Sequence, residues 1–464
     1  MNRPLPFPLL ASLALAGAAA AQDLIAKAAP QPRPVVIRNA VLHTLDRGTI
    51  LGGTIWFQDG AIRGVHAADE KPALPAGQEP IVIDGTGKHV FPGLIAACTQ
   101  LGLQELGMVR QTVDLTEVGD IAPEALALVA VNPDSTALPV TRSNGVLVAG
   151  VFPSGGLVPG RASVIQLDGW TNKDLAVLAD AGVVVAWPAL PADGPQRGMR
   201  GGRRPPPAPG QPNVPGQPAA GAGAHADAVA AVKKQRAQID DAFAKAGAWF
   251  AQHQVDQTLP PDLRAQSLVP ALRGEVPVFL LADELEEIES AVAWALGRKL
   301  RAVIVGGRDA LLCERLKEQK VPVIVIGTLK LPHREDAPYD EAFTLPARLQ
   351  AAGIPFCIAS GEPFYNERNL AYHAACAAAH GLDREQALAA ITRDAAQILG
   401  VGDRLGTLTA GKDATLFVAD GSPLDVPTHI EHAFIRGREI DLRNKQTELA
   451  KKYREKYRQV GEGK

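Results

Sequence analysis

The strongest constraint on the fold is a series of short, almost purely apolar runs separated by stretches of helix length. VLVAGVF (146–152), VVVAW (183–187), VPVFLLA (276–282), RAVIVG (301–306), VPVIVIG (321–327) and IPFCIA (354–359) lack the alternation of a strand with one wet face. Runs of this kind are read as parallel strands covered by helices on both sides. The stretches between them carry helical signals. Glu284–Leu296 repeats its apolar residues at the helical period. In LDREQALAAITRDAAQILG, Asp383 is placed to cap a helix, Gln386 holds the capping-box position and Gly400 supplies the stop.

The flanks read differently. Val35–Val41, Thr54–Phe57, Ala61–His66 and Ile81–Asp84 are short strands, and Asp59-Gly60 marks a hairpin between two of them. Strands return at Ala414–Val418 and Ile430–Arg436, followed by a charged helix over 442–464 that includes KKYREKYR (451–458). That helix is read as a solvated face. A membrane-surface role is the weaker alternative, because a broad apolar face is missing. With 464 residues the chain exceeds what one core of about 250–300 residues holds, so at least two folded units are expected. Residues 191–224 interrupt the strand–helix order with nine Pro and eight Gly, a composition read as a flexible insertion within one domain. Arg197, Arg200, Arg203 and Arg204 on it are read as solubilising charge. VFPSGGLVPG (151–160) is expected to be a mobile loop at a strand end.

Residues 1–21, MNRPLPFPLLASLALAGAAAA, combine Arg3, an apolar stretch and a small-residue cleavage signal, so export to the periplasm or beyond is expected, with cleavage near Ala21. The apolar part is shorter than the ~20 residues that span a bilayer, and no later run is expected to cross one. Cys98, Cys313, Cys357 and Cys376 are spaced too widely for a zinc ribbon or a disulfide framework. With 47 Lys+Arg against 50 Asp+Glu, net charge −3, nucleic acid is not an expected partner. Self-association is left open.

Two segments resemble the amidohydrolase superfamily. IDGTGKHVFPGLIAACTQLG (83–102) is similar to the segment that leads into the first barrel strand, usually worded close to PGxIDxHxH. AITRDAAQILGVGDRLGTLTAGKDATLFVADGSPLD (390–425) is similar to the return from the last barrel helix into a small β domain. The resemblance implies an α/β fold: a distorted (β/α)8 TIM barrel over 91–404, with a composite β-sandwich domain from 35–90 and 405–441. It also implies hydrolysis of non-peptide C–N bonds at the barrel mouth, where one or two divalent metals activate water.

The positions that would hold such a metal are degenerate. The paired histidines read Cys98 and Gln100, the acid before them reads Ala96, and the next histidine position reads Leu281, followed by Ala282. Gly306 and Gly307 stand where a further histidine falls, and Gly361 stands at the catalytic aspartate, with Glu362 next to it. Glu362 is the candidate survivor of the general base, and His333 in LKLPHREDAPYDE is a candidate binding residue. His373 and His380 share a helix face and are expected to be a packed or solvated pair. Two readings follow. In one, metal chemistry is impaired or lost, no cofactor is held, and the mouth binds a small molecule or a partner. In the other, Cys98 and Glu362, with His333 as a further ligand, support an unusual site holding zinc or another divalent ion. A Cys98–Cys357 disulfide is a further alternative for neighbouring strands.

Overall fold

The computed structural model describes residues 25–70, 72, 77–190, 222–334 and 336–462. The expected leader at 1–21 lies outside the described residues, as does the expected insertion up to residue 221. The chain is described again from Ala222, where the 34-residue helix Ala222–Val255 begins, so the last three positions of that stretch belong to a helix.

The first sheet draws on both ends of the described chain. Its strands are β1 (Val35–His43), β2 (Thr49–Gln58), β3 (Ala61–His66), β4 (Ile81–Asp84) and β5 (His89–Pro92), with β14 (Leu416–Ala419), β15 (Ile430–Ile435) and β16 (Arg438–Glu439). They run in the order β16-β15-β14-β5-β1-β2-β3, with β4 also on β1. The backbone of β1 turns at Asn39, φ 59°. Residues Val35–Arg38 therefore pair with β4, and Val41–Leu42 pair with β5. The bent sheet encloses Ile37, Leu42, Ile55, Phe57, Val90, Leu416 and Phe434.

The second sheet is the barrel: β6 (Leu94–Thr99), β7 (Val146–Val151), β8 (Gly160–Gln166), β9 (Ala176–Ala186), β10 (Val278–Ala282), β11 (Ala302–Gly306), β12 (Val323–Ile326) and β13 (Phe356–Ala359), hydrogen-bonded in that order. β13 comes back alongside β6, so the sheet is nearly closed. Its interior is filled by Ile95, Val148, Val164, Val184, Phe279, Val303, Ile324 and Cys357. β5 passes into β6 through Gly93, where a Cβ would lie 2.9 Å from Cβ of Leu147.

The distortion of the barrel is specific. β8 runs antiparallel to both β7 and β9, while the other neighbouring pairs are parallel. The loop expected at 151–160 is therefore the turn into β8, and its Phe152, Leu157 and Val158 are buried. A second departure lies after Asp383, which caps as expected by accepting from the N–H groups of Glu385 and Gln386. The single helix expected there is two, Arg384–Ala390 and Arg393–Ile398. Gln386 does not close a capping box, because its amide donates to Asp394 at 2.7 Å across the break.

One buried carboxylate joins the two sheets. Asp168, just after β8, is 1% exposed and accepts from Arg142 Nη1 at 3.1 Å and from the Ala28 N–H at 3.1 Å. Arg438 of β16 lies 3.3 Å away and also donates to the Asp168 carbonyl at 3.0 Å. Arg142 is itself 1% exposed. Removing one partner of such a pair leaves a buried charge uncompensated, at a cost of about 3–5 kcal/mol. Asp168→Asn is accordingly expected to lower unfolding free energy by an amount of that order, read from the urea midpoint.

Candidate functional site

The barrel's parallel strands end on one face, and the residues just past those ends form an arc of polar groups. β6 ends in Cys98 and Thr99, with Gln100 following. β13 is followed by Ser360, Gly361 and Glu362, then by a 3-10 turn, Phe364–Asn369, that carries Glu367, and by the helix Leu370–Ala379, which carries His373. β12 is followed by Thr328, Lys330 and His333, β10 by Asp283, and β11 by Arg308.

Glu367 is fully buried, and neither carboxyl oxygen has a hydrogen-bond partner among the described residues. Burial pushes its pKa up to about 7. The Thr99 and Ser360 hydroxyls oppose that rise, and Glu362 adds to it. Beside it, burial pushes the Cys98 thiol up to about 12, with Glu367 contributing. A thiol in that state stays protonated at neutral pH and is a poor nucleophile. Burial also holds the Cys357 thiol well above its ordinary range. All four cysteines are free, so no disulfide joins Cys98 to Cys357.

His373 sits on the other side of Glu362. Its Nδ1 accepts the Thr328 N–H at 3.0 Å, so the neutral ring carries its proton on Nε2. That nitrogen points toward Glu362 Oε1 at 3.7 Å, too far for a direct hydrogen bond. Burial lowers the His373 pKa to about 4, with Lys330 assisting and Glu362 opposing. His373 and His380 do not form a pair: His380 packs on Phe343 and bonds to the Cys376 carbonyl, while His373 faces the arc.

Next to His373 the arc opens into a cavity of about 240 Å³, lined by Asp283, Arg308, Lys330, His333 and the apolar Val325, Ile326 and Leu345. Lys330 has its pKa lowered by desolvation, an effect that Arg308 reinforces and Asp283 opposes. His333 Nε2 lies 3.0 Å from Glu284 Oε1, and Arg308 lies 3.5 Å from Asp283. A larger groove, about 940 Å³, lies between Ser143, Arg368 and the closing β segment around His429. The strand-end cavity is the candidate site, because barrels of this type place their chemistry there.

The degenerate positions are fixed by backbone geometry as well as by residue type. Gly306 has φ 113°, and a Cβ there would lie 2.6 Å from Asp283 Oδ1. Gly307 has φ 68° and Gly361 φ 64°, with added Cβ atoms 2.5 Å from Val323 and 2.8 Å from Ile326. A histidine or aspartate at these places meets both a left-handed backbone and a collision. Leu281 is an apolar side chain packed against the barrel interior. Among the described residues no three His, Cys, Asp or Glu side chains are grouped to hold a metal. His373 has no free lone pair to offer, since the backbone N–H occupies Nδ1 and a proton occupies Nε2. The residues present do not fit the divalent metal of the resemblance.

Sequence reasoning missed Glu367, a lone acid in the polar run NERN, and Lys330 and Arg308. It placed Glu362 and His333 on this face, but the structure sets them against different partners, His373 and Glu284.

Comparisons with known proteins agree with the fold. The model of the amidohydrolase family matches residues 348–440. An amidohydrolase, tasK, of Hapsidospora irregularis is 26% identical over 422 residues, covering 85% of this chain but only 42% of the relative's own length. A crystal structure of an amidohydrolase from Thermotoga maritima MSB8 superposes with a TM-score of 0.72 at 23% identity, covering 88% of this chain and all of that one. Molinate hydrolase superposes less closely, with a TM-score of 0.52 at 15% identity, over 90% of this chain and 96% of its own. The chain thus has the fold of the amidohydrolases, and its residues 348–440 match that family's model.

Glu367 makes a pH prediction. Folded, it releases its proton near pH 7 rather than the ordinary 4.5. The folded state therefore holds more protons between those values, and this group's contribution to stability falls as pH rises through that window. His373 acts in the opposite sense between about 4 and 6.5, so only a variant isolates Glu367. Relative to the parent, Glu367→Gln is expected to gain about 3 kcal/mol between pH 4 and pH 8. Urea unfolding across that range reads the gain, and a pH-independent difference would contradict a raised Glu367.

Proposed function

We propose that this protein is an exported member of the superfamily in which metal-assisted hydrolysis of C–N bonds is lost and the barrel mouth binds a small molecule. The observation that carries the reading is the set Leu281, Gly306, Gly307 and Gly361: an apolar side chain and three left-handed glycines at positions where ligands would stand. Without a metal, water keeps a pKa near 15.7 instead of about 7 when bound to zinc, so hydroxide attack on an amide has no support. The cavity beside Lys330 and Arg308 joins an apolar wall to a few convergent polar groups, the usual make-up of a ligand site. Export is supported by the leader-like residues 1–21.

Elemental analysis of the purified protein tests the first half. The expected outcome is metal well below one equivalent, with no melting-temperature shift and no amide hydrolysis after addition of zinc, cobalt or manganese. Stoichiometric metal that disappears in Cys98→Ala or Glu362→Ala overturns the reading and restores a working hydrolase. Ligand binding is tested by a small-molecule thermal-shift screen. Stabilising hits are expected to lose about tenfold or more in affinity in Lys330→Ala and Arg308→Ala, in line with the loss of a charged contact.

A further inference from the structure

The last helix of the described chain, Lys445–Glu462, is anchored at its base and is otherwise exposed among the described residues. Asn444, 4% exposed, caps it by accepting from the N–H groups of Gln446 and Thr447 at 2.9 and 3.0 Å, and donates to Ser143 at 2.8 Å. From Lys445 to Gly461 every residue is exposed. Left exposed, the helix gains little from burial against the described fold.

That pattern is two-faced. Leu449, Tyr453, Tyr457 and Val460 fall within about 80° of arc on a helix turning about 100° per residue, and they are exposed by 41%, 48%, 69% and 57%. The rest of the surface is net positive: Lys445–Glu462 holds six Lys or Arg against three Glu, the latter on one stripe at Glu448, Glu455 and Glu462. Lys451, Lys452 and Arg454 make no ion pair among the described residues, while Glu455 is taken up by Arg458 at 2.7 Å. Lys456 rises at the edge of the apolar stripe, its ammonium 5.9 Å from the ring of Tyr453 and 5.8 Å from that of Tyr457.

We propose that this helix is a peripheral anchor that lies on an anionic lipid surface, with Leu449, Tyr453, Tyr457 and Val460 at the headgroup boundary and the flanking lysines on the phosphates. The apolar face is narrow, as the sequence implies, but it is continuous over three turns and carries two tyrosines, which suit a site apolar at one end and wet at the other. The net positive remainder suits shallow attachment to an anionic interface. Basic residues near such a surface add to the attraction. A second copy of the helix suits the stripe less well: two helices each carrying this positive excess repel, and Lys456 would fall inside their seam. No helix among the described residues is long and apolar enough to cross a membrane, so the attachment is to the surface.

Co-sedimentation of the full-length mature protein with vesicles tests the inference. Vesicles of equal parts phosphatidylglycerol and phosphatidylcholine are expected to bind the protein at least about tenfold more tightly than phosphatidylcholine alone, and binding is expected to fall as salt is raised to about 0.5 M. Tyr453→Ser with Tyr457→Ser is expected to abolish binding, and Tyr453→Phe with Tyr457→Phe to retain it. The serine variant should keep the parent's melting temperature, because neither ring packs on the fold. Equal binding to both vesicle types, no binding to either, or binding unaffected by the serine pair overturns the proposal. So does a helix-dependent dimer in light scattering without lipid, or helix-dependent capture by an acidic protein with no binding to vesicles.

Discussion

The architecture depends on the burial of one carboxylate. Asp168 draws into one dry place the segment before β1, the helix that carries Arg142, the end of β8 and the strand β16. These pieces come from both ends of the described chain, and no local interaction brings them together. The bent sheet and the barrel interior each have an apolar core, and a third cluster joins Phe91, Phe417 and Ile435 of the sheet to Leu94, Val146 and Leu147 of the barrel. The Asp168 cluster fixes how they meet, because charges this deeply buried are tolerated only when all partners arrive together. A second tie reinforces it: Lys412 donates to the carbonyls of Gly402 and Leu405, and Arg404 pairs with Asp413 at 2.7 Å. The string GTLTAGKDA thus serves the joint between barrel and β domain.

At the strand ends, three glycines are fixed by the path of the chain. Gly306 and Gly307 turn so tightly over Asp283 and Val323 that no side chain fits, and Gly361 turns over Ile326 in the same way. What remains is a proton-bearing arrangement: a carboxyl that keeps its proton to about pH 7, an imidazole held as an Nε2–H donor, and Glu362 between them. Glu367 and His373 are both sealed from solvent beneath the strand ends. A fold shared with amidohydrolases carries its own arrangement of groups at the strand ends.

Much of the fold was legible in the sequence because parallel strands buried on both faces must be apolar throughout, and those runs stand out in β7 and β9–β13. β8 was not legible. Its run GRASVIQ begins with Gly and Arg, follows a Gly-Pro-rich turn, and runs against its neighbours, so nothing in the strand–helix rhythm announces it. The break at Thr392 was hidden because helical periodicity continues through it, and only the contact of Gln386 with Asp394 shows why two helices are preferred to one. In the site, the absent ligands were readable as letters, but Glu367 was not: polar neighbours surround it in sequence, and only the turn Phe364–Asn369 carries it inward. Likewise the spacing of His373 and His380 showed a shared helix, while the tautomer of His373 depends on the Thr328 backbone more than forty residues away.

The reversed strand β8 also bears on how the barrel is assembled. Because it runs against β7 and β9, the three form a meander joined by the segments 152–159 and 167–175, where parallel strands would need a crossover for each join. Loop-closure entropy rises with chain separation, so this wall is the part of the cylinder whose pairing costs least to begin. β10 pairs with β9 only across the long span that includes residues 187–277 and the helix Ala222–Val255. The meander thus gives the later strands a preformed edge on which to add, and separates an early, local stage of folding from the late closure of β13 against β6.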